Sequence, residues 1–428
     1  MRNFLTICLG KFVRWGLRAF TKSSGSALPG RIVEKIDPYF LRRMCDKLPF
    51  GVVLVSGTNG KTTTTHIITE LLEGQGLKVF TNKTGSNFAR GVISELLEQV
   101  SLSGNIAADI AVLELDEAYG VQFADIVQPD YSLFLNVMRD QLDRFGELDY
   151  TASLLAEITA KTKKCVILNS ADPHIYSLKD SVQEGVKVKF FGLHKKMRPF
   201  FLNDEELYSK TIFNINQNVK CEDSLIEFNS KSNVAKYKIG EAEFQVKMKL
   251  RGLHNIYNTV AAITTVKSIL ENKIDMDKLL VSLESVGGAF GRGELITVDN
   301  EEYELVLVKN PAGFRMGLLS FEPDNAPVMI VINDEYADGK DVSWLWDVDF
   351  SKLKGKGVAV ISGHRAYDMA LRLVYSDIIQ ESETYIDLDI KKSLDKFKQI
   401  SSQGRKRIYG TYTAMLEIRK ILTGKSID

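Results

Sequence analysis

Short apolar runs alternate with helical patterns along most of the chain after residue 50. Each run has the length of a strand and ends in polar or turn residues, and the first members are Gly51–Ser56, Val79–Asn82, Ile110–Leu115, Tyr131–Asn136 and Cys165–Asn169. Apolar positions at helical spacing lie between them, at Thr62–Glu73 and Ala89–Val100. Because continuous apolar strands are typical of sheets buried on both faces, the pattern predicts a parallel sheet covered by helices.

The pattern changes twice towards the C-terminus. Polar and apolar residues alternate between about 225 and 250, which predicts an antiparallel ribbon, and His254–Leu270 has the spacing of a long helix. A second α/β alternation begins near residue 300, with predicted strands and helices at Glu304–Val308, Val328–Ile332, Val358–Ser362, Tyr367–Tyr375 and Tyr412–Leu422. We predict an α/β protein with an N-terminal helical segment at 1–48, a central domain at 49–299 and a smaller domain at 300–428.

The first 22 residues have the pattern of a basic amphipathic helix. Apolar residues recur there at roughly helical spacing, and the segment has no acid but five basic residues, which are Arg2, Lys11, Arg14, Arg18 and Lys22. We favour a helix that docks on its own domain. Peripheral contact with an anionic membrane surface is the alternative. No apolar run in the chain reaches the roughly 20 residues that a membrane-spanning helix needs.

Composition and charge exclude several classes of protein. The chain has 428 residues, of which 44% are hydrophobic and 26% charged, as in ordinary globular proteins with two or more domains. Its 55 Lys and Arg balance 55 Asp and Glu, whereas a dedicated nucleic-acid binder would carry a basic excess. The balance is uneven, because residues 1–48 hold ten basic and three acidic residues (+7) and the remainder therefore carries −7. Four scattered cysteines without CxxC spacing predict a reducing, cytoplasmic setting.

The segment Ser56–Thr63 (SGTNGKTT) has the pattern of a phosphate-binding loop between a strand and a helix. Glycines let backbone N–H groups turn towards phosphate oxygens, and the helix N-terminus adds a positive dipole end. Lys61 can reach the terminal phosphates, and the Thr62 hydroxyl can bind Mg²⁺. In the usual motif the first glycine would stand at Val55, so this loop is a variant. The alternative is a tight strand-to-helix turn with a surface lysine.

A phosphate loop of this kind also needs an acid near the metal. Glu114, Asp116 and Glu117 follow the apolar run AVLEL, and parallel sheets bind ligands at the carboxyl ends of their strands. We choose Glu114 as the Mg²⁺ ligand. An ordinary acidic loop after a strand is an equally simple interpretation of these residues taken alone.

These motifs resemble those of the Mur ligases, including the folylpolyglutamate synthetase branch. After GTNGKTT the matching segments follow in the expected order, at Asn136–Glu147 (NVMRDQLDRFGE), Asn169–Pro173 (NSADP), Gly252–Asn258 (GLHNIYN) and Gly291–Glu294 (GRGE). The resemblance implies a Mur ligase-like P-loop central domain with a parallel sheet and an antiparallel ribbon. It implies a Rossmann-like α/β fold for the C-terminal domain.

The C-terminal part resembles one branch of that family, MurT. The similar segments are Lys309–Phe314 (KNPAGF), Asn333–Phe350 (NDEYADGKDVSWLWDVDF) and Ser362–Leu373 (SGHRAYDMALRL). MurT proteins are the ligase-like subunits of an amidotransferase that converts D-glutamate to D-isoglutamine in lipid II. With this branch the resemblance extends over nearly the whole chain.

The resemblance implies a role for individual residues. ATP and Mg²⁺ would be bound by the phosphate loop and by Glu114, the loop residues being Gly57, Thr58, Asn59, Gly60, Lys61, Thr62 and Thr63. Asn169, Asp172 and Asn258 would lie near the nucleotide, and His254 and Arg292 would face the nucleotide or its phosphates. Helix capping is an alternative for His254 and Asn255, and for Arg292 it is a surface ion pair with Glu294.

Two features depart from the family pattern. MurT proteins often carry a four-cysteine zinc ribbon, but residues 196–250 contain only Cys221, so we expect no zinc in this chain. Mur peptide ligases also use a carbamylated lysine, and we assign none among Lys187, Lys189, Lys195 and Lys196.

Six carboxylates crowd the segment between Asp334 and Asp349. Tyr336 occupies a position where a calcium-binding loop would need an oxygen ligand, and Trp344 and Trp346 are unusual in a purely solvated acidic loop. MurT works with a separate glutaminase subunit, GatD, which has a Cys–His pair and takes its third acid from MurT. By that resemblance Asp341 is the acid, and it would orient the partner's histidine.

These inferences lead to one main hypothesis and two alternatives. The chain would bind MgATP and lipid II, activate the α-carboxylate of D-glutamate as an acyl phosphate, and use ammonia from a GatD-type partner, at the inner face of the membrane. A stand-alone Mur-type ligase that joins an amino acid to a carboxylate is the first alternative. A non-catalytic P-loop scaffold is the second.

Overall fold

The computed structural model describes residues 2–20, 28–82, 89–138, 148–201, 219–288, 292–320, 326–401 and 405–424. They form two compact units. The first comprises residues 1–137, 147–248 and 257–286, and the second comprises 138–146, 249–256 and 287–428. No helix in these ranges combines the length and apolar character needed to cross a bilayer.

The first unit contains a nine-stranded sheet and most of the helices. Its strands are β1 Val52–Ser56, β2 Val79–Thr81, β3 Ile110–Glu114, β4 Tyr131–Phe134, β5 Cys165–Asn169, β6 Lys187–Leu193, β7 Asp223–Asn229, β8 Val234–Ile239 and β9 Ala242–Lys247. Its helices are α1 Arg2–Phe20, α2 Leu28–Ile36, α3 Phe40–Cys45, α4 Lys61–Gly74, α5 Ala89–Gln99, α6 Glu117–Ile126, α7 Leu148–Thr159, α8 Pro173–Ser177, α9 Leu253–Leu270 and α10 Met276–Ser285.

The sheet of the first unit has the strand order β2-β3-β1-β4-β5-β6-β7-β8-β9. Every pair from β2 to β7 is parallel, while β7, β8 and β9 form an antiparallel ribbon at one edge. Residues of β1 and β3 are buried throughout, as expected for strands covered on both faces. The predicted parallel sheet and ribbon are therefore confirmed.

The N-terminal segment is part of the core of the first unit. Ile7 of α1, Val33 of α2 and Phe40 of α3 are fully buried in the cluster that also contains Leu54 and Leu113 of the sheet. The predicted segment 1–48 thus shares a hydrophobic core with the domain that follows it.

The second unit is built on a six-stranded sheet. Its strands are β10 Arg292–Val298, β11 Glu301–Leu307, β12 Val328–Val331, β13 Val360–Ser362, β14 Tyr385–Asp387 and β15 Arg405–Gly410, in the order β10-β11-β15-β12-β13-β14. Its helices are α11 Pro311–Ser320, α12 Ala366–Tyr375, α13 Ile390–Lys398 and α14 Tyr412–Thr423. Buried side chains form separate clusters on the two faces, one around Phe314 and Met369 and the other around Leu394 and Met415.

The boundary of the second unit lies earlier than residue 300. Strands β10 and β11 pair antiparallel from Arg292↔Val306 to Val298↔Glu301, and the compact unit begins at residue 287. A boundary at 299/300 would divide this hairpin in its turn, where Asp299 and Asn300 both have positive φ. The sequence pattern indicated the strand after this turn but not the strand before it.

Candidate active site

The carboxyl ends of the central parallel strands meet at one edge of the first unit's sheet. The phosphate loop follows β1, Glu114 ends β3, Asn136 follows β4, and Asn169 ends β5. These strands are neighbours in the order β3-β1-β4-β5. Binding sites of parallel α/β sheets lie at this edge.

Asn136 holds the phosphate loop in shape. Its side-chain amide accepts from Asn59 N at 2.9 Å and donates to Asn59 O at 2.9 Å. Its backbone O accepts from Thr58 N at 2.9 Å. Gly57 has a φ of +125°, and a Cβ there would lie 2.9 Å from Asn136 O. We infer that Asn136 is a positioning residue, since it touches the loop and fixes its backbone on both sides of Asn59.

Lys61 is the first residue of α4 and its side chain turns back along the loop. Its ammonium Nζ donates to Gly57 O at 2.6 Å and lies 3.1 Å from Asp116 Oδ1. The side chain is buried, so a charged group at this position is stabilised by these partners. The ammonium is thus held beside the loop backbone that would surround phosphates.

Thr62 and Glu114, the two residues predicted to bind Mg²⁺, lie together. Thr62 Oγ1 donates to Glu114 Oε1 at 2.7 Å. The backbone of Glu114 is fixed by Asn82, whose amide donates to Glu114 O and accepts from Glu114 N, both at 2.9 Å. Sequence reasoning missed Asn82, although it is the last residue of the predicted strand Val79–Asn82 and directly follows the observed strand β2.

The donor set at this point suits Mg²⁺. A hydroxyl and a carboxylate are hard oxygen ligands, and Mg²⁺ in such sites is held by one or two protein groups together with waters and phosphate oxygens. Among the residues that the structure describes, no group of three or more His, Cys, Asp or Glu is arranged to hold a metal. Thr62 and Glu114 would therefore hold the ion only together with a bound nucleotide.

Asn169 and Asp172 make internal hydrogen bonds at the same sheet edge. Asn169 donates to Leu135 O at 2.7 Å and accepts from Tyr257 Oη at 2.6 Å. Asp172 accepts from Val137 N at 2.9 Å and, as the N-cap of α8, from Ile175 N at 3.0 Å. Burial raises the pKa of Asp172, although the hydrogen bonds from these backbone N–H groups act to lower it. The predicted contact of both residues with a nucleotide stays a prediction.

Asn258 lies directly against the phosphate loop. A Cβ on Gly60 would come within 2.9 Å of Asn258 Nδ2 and 3.0 Å of its Oδ1. Gly60 also has a φ of +92°, which disfavours any side chain. The structure thus brings Asn258 and the loop together.

For His254 and Arg292 the structure gives little support for a contact with the nucleotide or its phosphates. Desolvation lowers the pKa of His254 to about 3, so its imidazole is neutral at physiological pH and adds no positive charge for phosphates. The side chain of Arg292 lies outside the described residues. Glu294, its proposed ion-pair partner, accepts from Arg419 Nε at 3.0 Å. The nucleotide role of Arg292 stays a prediction.

The acidic segment of the second unit is a folded loop. Asp338 is buried and accepts from Thr413 N at 2.8 Å. Asp334 accepts from Arg365 Nη2 at 2.8 Å, and although desolvation acts in the opposite direction, this arginine lowers the pKa of Asp334. These carboxylates therefore serve the structure of the loop.

Asp341 differs from these carboxylates because it is exposed. Its Oδ1 accepts from Ser343 N at 2.8 Å, which orders the backbone before the short 3₁₀ helix Ser343–Asp347. The two tryptophans of that helix have different environments. The ring centroid of Trp344 lies 6.3 Å from that of the buried Phe314, whereas Trp346 is half exposed. Asp341 is thus an accessible carboxylate on an ordered loop, five residues before a half-exposed tryptophan.

Comparisons with known proteins agree with this geometry. The model of the Mur ligase middle domain matches residues 55–266, and the model of the MurT ligase C-terminal domain matches residues 307–415. Among solved structures, MurF from Acinetobacter baumannii has a TM-score of 0.70 at 17% identity, covering 92% of this chain and 80% of that one. MurF from Thermotoga maritima, in complex with ADP, has a TM-score of 0.66 at 18% identity, covering 94% and 83%.

The fold and the phosphate loop are those of the Mur ligase class. The chain is also 29% identical over 92% of both lengths to subunit MurT of lipid II isoglutaminyl synthase (glutamine-hydrolyzing) from Staphylococcus aureus. Its identity to the Streptococcus pneumoniae protein of the same name is 29%, over 94% of this chain and 93% of that one. The chain belongs to the MurT family of Mur ligase-like proteins.

The hydrogen bonds of Asn136 lead to a first prediction. Asn136→Ala removes both side-chain bonds to Asn59, and we expect MgATP affinity to fall about tenfold or more, with a loss of roughly 1–2 kcal/mol in the free energy of unfolding. Isothermal titration calorimetry and urea unfolding measure the two effects. Asn229→Ala is the control, because Asn229 also accepts from backbone N–H groups, but in the turn between β7 and β8. Unchanged affinity in Asn136→Ala would show that the loop does not need this residue.

Gly60 and Gly76 give a second, matched prediction. Both have a φ near +90°, but a Cβ on Gly76 meets nothing within 4 Å, whereas one on Gly60 collides with Asn258. Each alanine variant should lose roughly 1–2 kcal/mol of stability from the left-handed backbone alone. Only Gly60→Ala should also lose MgATP binding, since its loop must move away from Asn258. Equal effects of the two variants on nucleotide affinity would contradict the role of this contact.

Proposed function

We propose that this protein catalyses the ATP-dependent amidation of the α-carboxylate of D-glutamate in the lipid II stem peptide, giving D-isoglutamine in peptidoglycan biosynthesis. The observation that carries the proposal is the joint arrangement of Lys61, Thr62 and Glu114 at the carboxyl edge of the sheet, in a chain of the MurT family. The names of the relatives from Staphylococcus aureus and Streptococcus pneumoniae support the substrate and the reaction.

The first step is a phosphoryl transfer. An oxygen of the D-glutamate α-carboxylate attacks the γ-phosphorus of ATP, the bond to the β-phosphate oxygen breaks, and an acyl phosphate and ADP result. Lys61 contributes a positive charge beside the phosphates, and the loop N–H groups position them. Thr62 and Glu114 would hold Mg²⁺, which neutralises charge that develops on the transferring group.

The second step forms the amide. Ammonia attacks the acyl carbon, the carbon–oxygen bond to phosphate breaks, inorganic phosphate leaves, and the nitrogen loses a proton. Two of the described cysteines, Cys45 and Cys165, are buried, and burial raises the pKa of both thiols, to about 12 and about 11, which does not suit a nucleophile that attacks glutamine. We propose that a GatD-type glutaminase subunit supplies the ammonia, which fits the words "subunit" and "glutamine-hydrolyzing" in the relatives' name.

Asp341 is our proposed contribution to the partner's site. An exposed carboxylate on an ordered loop can accept from the Nδ1–H of a histidine and stabilise the imidazolium that forms when the partner's cysteine is deprotonated. Its hydrogen bond to Ser343 N fixes one carboxylate oxygen and so limits the directions from which the histidine can approach. We further propose that the enzyme acts in the cytoplasm, at the inner face of the membrane.

A stand-alone amino-acid ligase is the second candidate. It is favoured by the similarity of this chain to enzymes whose name describes ligation of an amino acid, such as UDP-N-acetylmuramoylalanine–D-glutamate ligase from Paraburkholderia phymatum, 28% identical over 51% of this chain. The match of residues 307–415 to the MurT C-terminal domain favours the amidation. Amide formation from a free amino acid, with no glutaminase present, would support the second candidate instead.

The phosphate loop gives a third prediction. Lys61→Ala should reduce lipid II amidation about 10²–10³-fold, because it removes a charge that acts on the transferring phosphoryl group. Amidation is measured with lipid II, ATP, glutamine and the glutaminase subunit by mass spectrometry of the product. Lys161→Ala, which breaks an exposed ion pair with Asp125, is the control and should keep full activity. Amidation that persists in Lys61→Ala would indicate a non-catalytic P-loop scaffold.

The fourth prediction concerns Asp341. Asp341→Asn should reduce glutaminase activity of the complex about 10²–10⁴-fold without weakening subunit binding, since the amide keeps the shape but not the charge. Asp349→Asn is a matched control, because Asp349 makes the same kind of turn, accepting from Ser351 N at 2.9 Å. Ligation with added ammonium chloride should survive in Asp341→Asn. Full glutaminase activity in this variant would remove Asp341 from the mechanism.

A further inference from the structure

The inner face of α1 is fixed to its own domain. Thr6 Oγ1 donates to Asp37 Oδ2 at 3.1 Å, and Arg14 Nη1 donates to Ser94 O at 2.6 Å. Asn3 Oδ1 accepts from Arg43 Nη2 at 2.8 Å. A Cβ on Gly10 would lie 2.7 Å from Leu97, so the helix approaches α5 closely. These contacts all come from one side of the helix, as expected for a helix that docks on its own domain.

The outer face of α1 is apolar. Phe4, Leu5, Leu9, Phe12 and Trp15 are all exposed, and Leu5, Phe12 and Trp15 expose 65–66% of their surface. With about 100° per residue these positions span roughly 140° of the helix circumference, and the only other residues on this arc whose side chains the structure describes are Cys8 and Gly16. The rings of Phe12 and Trp15 lie 6.0 Å apart. A solvated helix would place charged and polar residues on this arc.

The segment that carries this face is basic. The helix has no acidic residue, and residues 1–48 carry a net +7. Lys11 lies at the border of the apolar arc and is partly exposed. The side chains of Arg2 and Arg18, and all of Lys22, lie outside the described residues. A continuous apolar arc of Phe, Leu and Trp within a basic segment has the composition of helices that lie in the plane of a bilayer interface.

We propose that α1 is a monotopic membrane anchor whose outer face inserts into the interfacial region of an anionic lipid bilayer. The helix would lie parallel to the surface, with its opposite face still docked on α2 and α5. The proposal rests on the proposed function only for the biological purpose of the anchor, since a lipid-linked substrate requires an enzyme at the membrane surface. Its physical basis is the exposed apolar arc and the basic charge of the segment.

Vesicle co-sedimentation of the full chain tests this inference. The protein should bind vesicles of phosphatidylglycerol and phosphatidylcholine, bind pure phosphatidylcholine more weakly, and lose affinity for the anionic vesicles as salt screens the charge. The variant Leu5→Ser/Phe12→Ser/Trp15→Ser should bind at least about tenfold more weakly, because it removes three apolar anchors. Because the three positions are exposed, we expect this variant to unfold at the same temperature as the wild type. That result would show that the variant folds.

The matched control replaces exposed apolar residues elsewhere in the same unit. Tyr150→Ser/Val281→Ser removes two side chains that are at least half exposed on α7 and α10, and its vesicle binding should equal that of the wild type. A second readout uses Trp344→Phe/Trp346→Phe, which leaves Trp15 as the one tryptophan of the chain. Its emission should shift to the blue with anionic vesicles and be quenched by brominated lipid.

Several outcomes would overturn the inference. These are wild-type protein that stays in the supernatant, a triple-serine variant that binds as well as the wild type, or Trp15 emission that vesicles do not change. Concentration-dependent self-association that the triple variant abolishes would instead identify the arc as an interface between copies of the chain. Vesicle binding should persist in Lys61→Ala, so a failure of the proposed reaction is distinguishable from a failure of the anchor.

Discussion

The candidate active site depends on how β1 passes into α4. Between the last residue of the strand and Lys61 the chain must turn sharply and still present its N–H groups to a ligand, which requires positive φ at Gly57 and Gly60. Within the loop, the hydrogen bond from Lys61 Nζ to Gly57 O helps to hold this backbone in place. Asn136, from the end of the neighbouring strand β4, does so with hydrogen bonds on both sides of Asn59, and Asn258 packs against Gly60. The loop is therefore pre-organised by residues distant in sequence.

The same sheet edge gathers the groups that we propose to bind Mg²⁺. Because β3 lies next to β1, Glu114 ends beside the first turn of α4, and Asn82 fixes its backbone from the β2 side. Phosphoryl transfer needs little covalent chemistry from a protein and depends on positioned charge. Lys61 would provide such a charge and Thr62 and Glu114 would hold Mg²⁺, which is why we assign the first step of the reaction to this site and leave ammonia production to a partner.

Residue types and local pattern were sufficient to predict much of this arrangement. The loop, the parallel sheet and its antiparallel ribbon follow from apolar periodicity and from motifs with a known chemical role, whereas the choice of Glu114 as an Mg²⁺ ligand stays a prediction. Asn82 and Asn136 could not be identified as positioning residues in this way, because their role depends on which strands are neighbours. Strand β10 was missed for a similar reason, since its pairing with β11 is what makes it a strand. The outer face of α1 was also ambiguous, because an amphipathic pattern does not say which side docks.

The central claim is that the carboxylate of D-glutamate is activated as an acyl phosphate. Lipid II labelled with ¹⁸O in that carboxylate tests it most directly, with inorganic phosphate analysed by mass spectrometry after amidation by the complex. The account predicts one ¹⁸O atom in phosphate for each amide formed, because the carbon–oxygen bond breaks when ammonia attacks. Amide formation with unlabelled phosphate, or with the label in AMP, would contradict it.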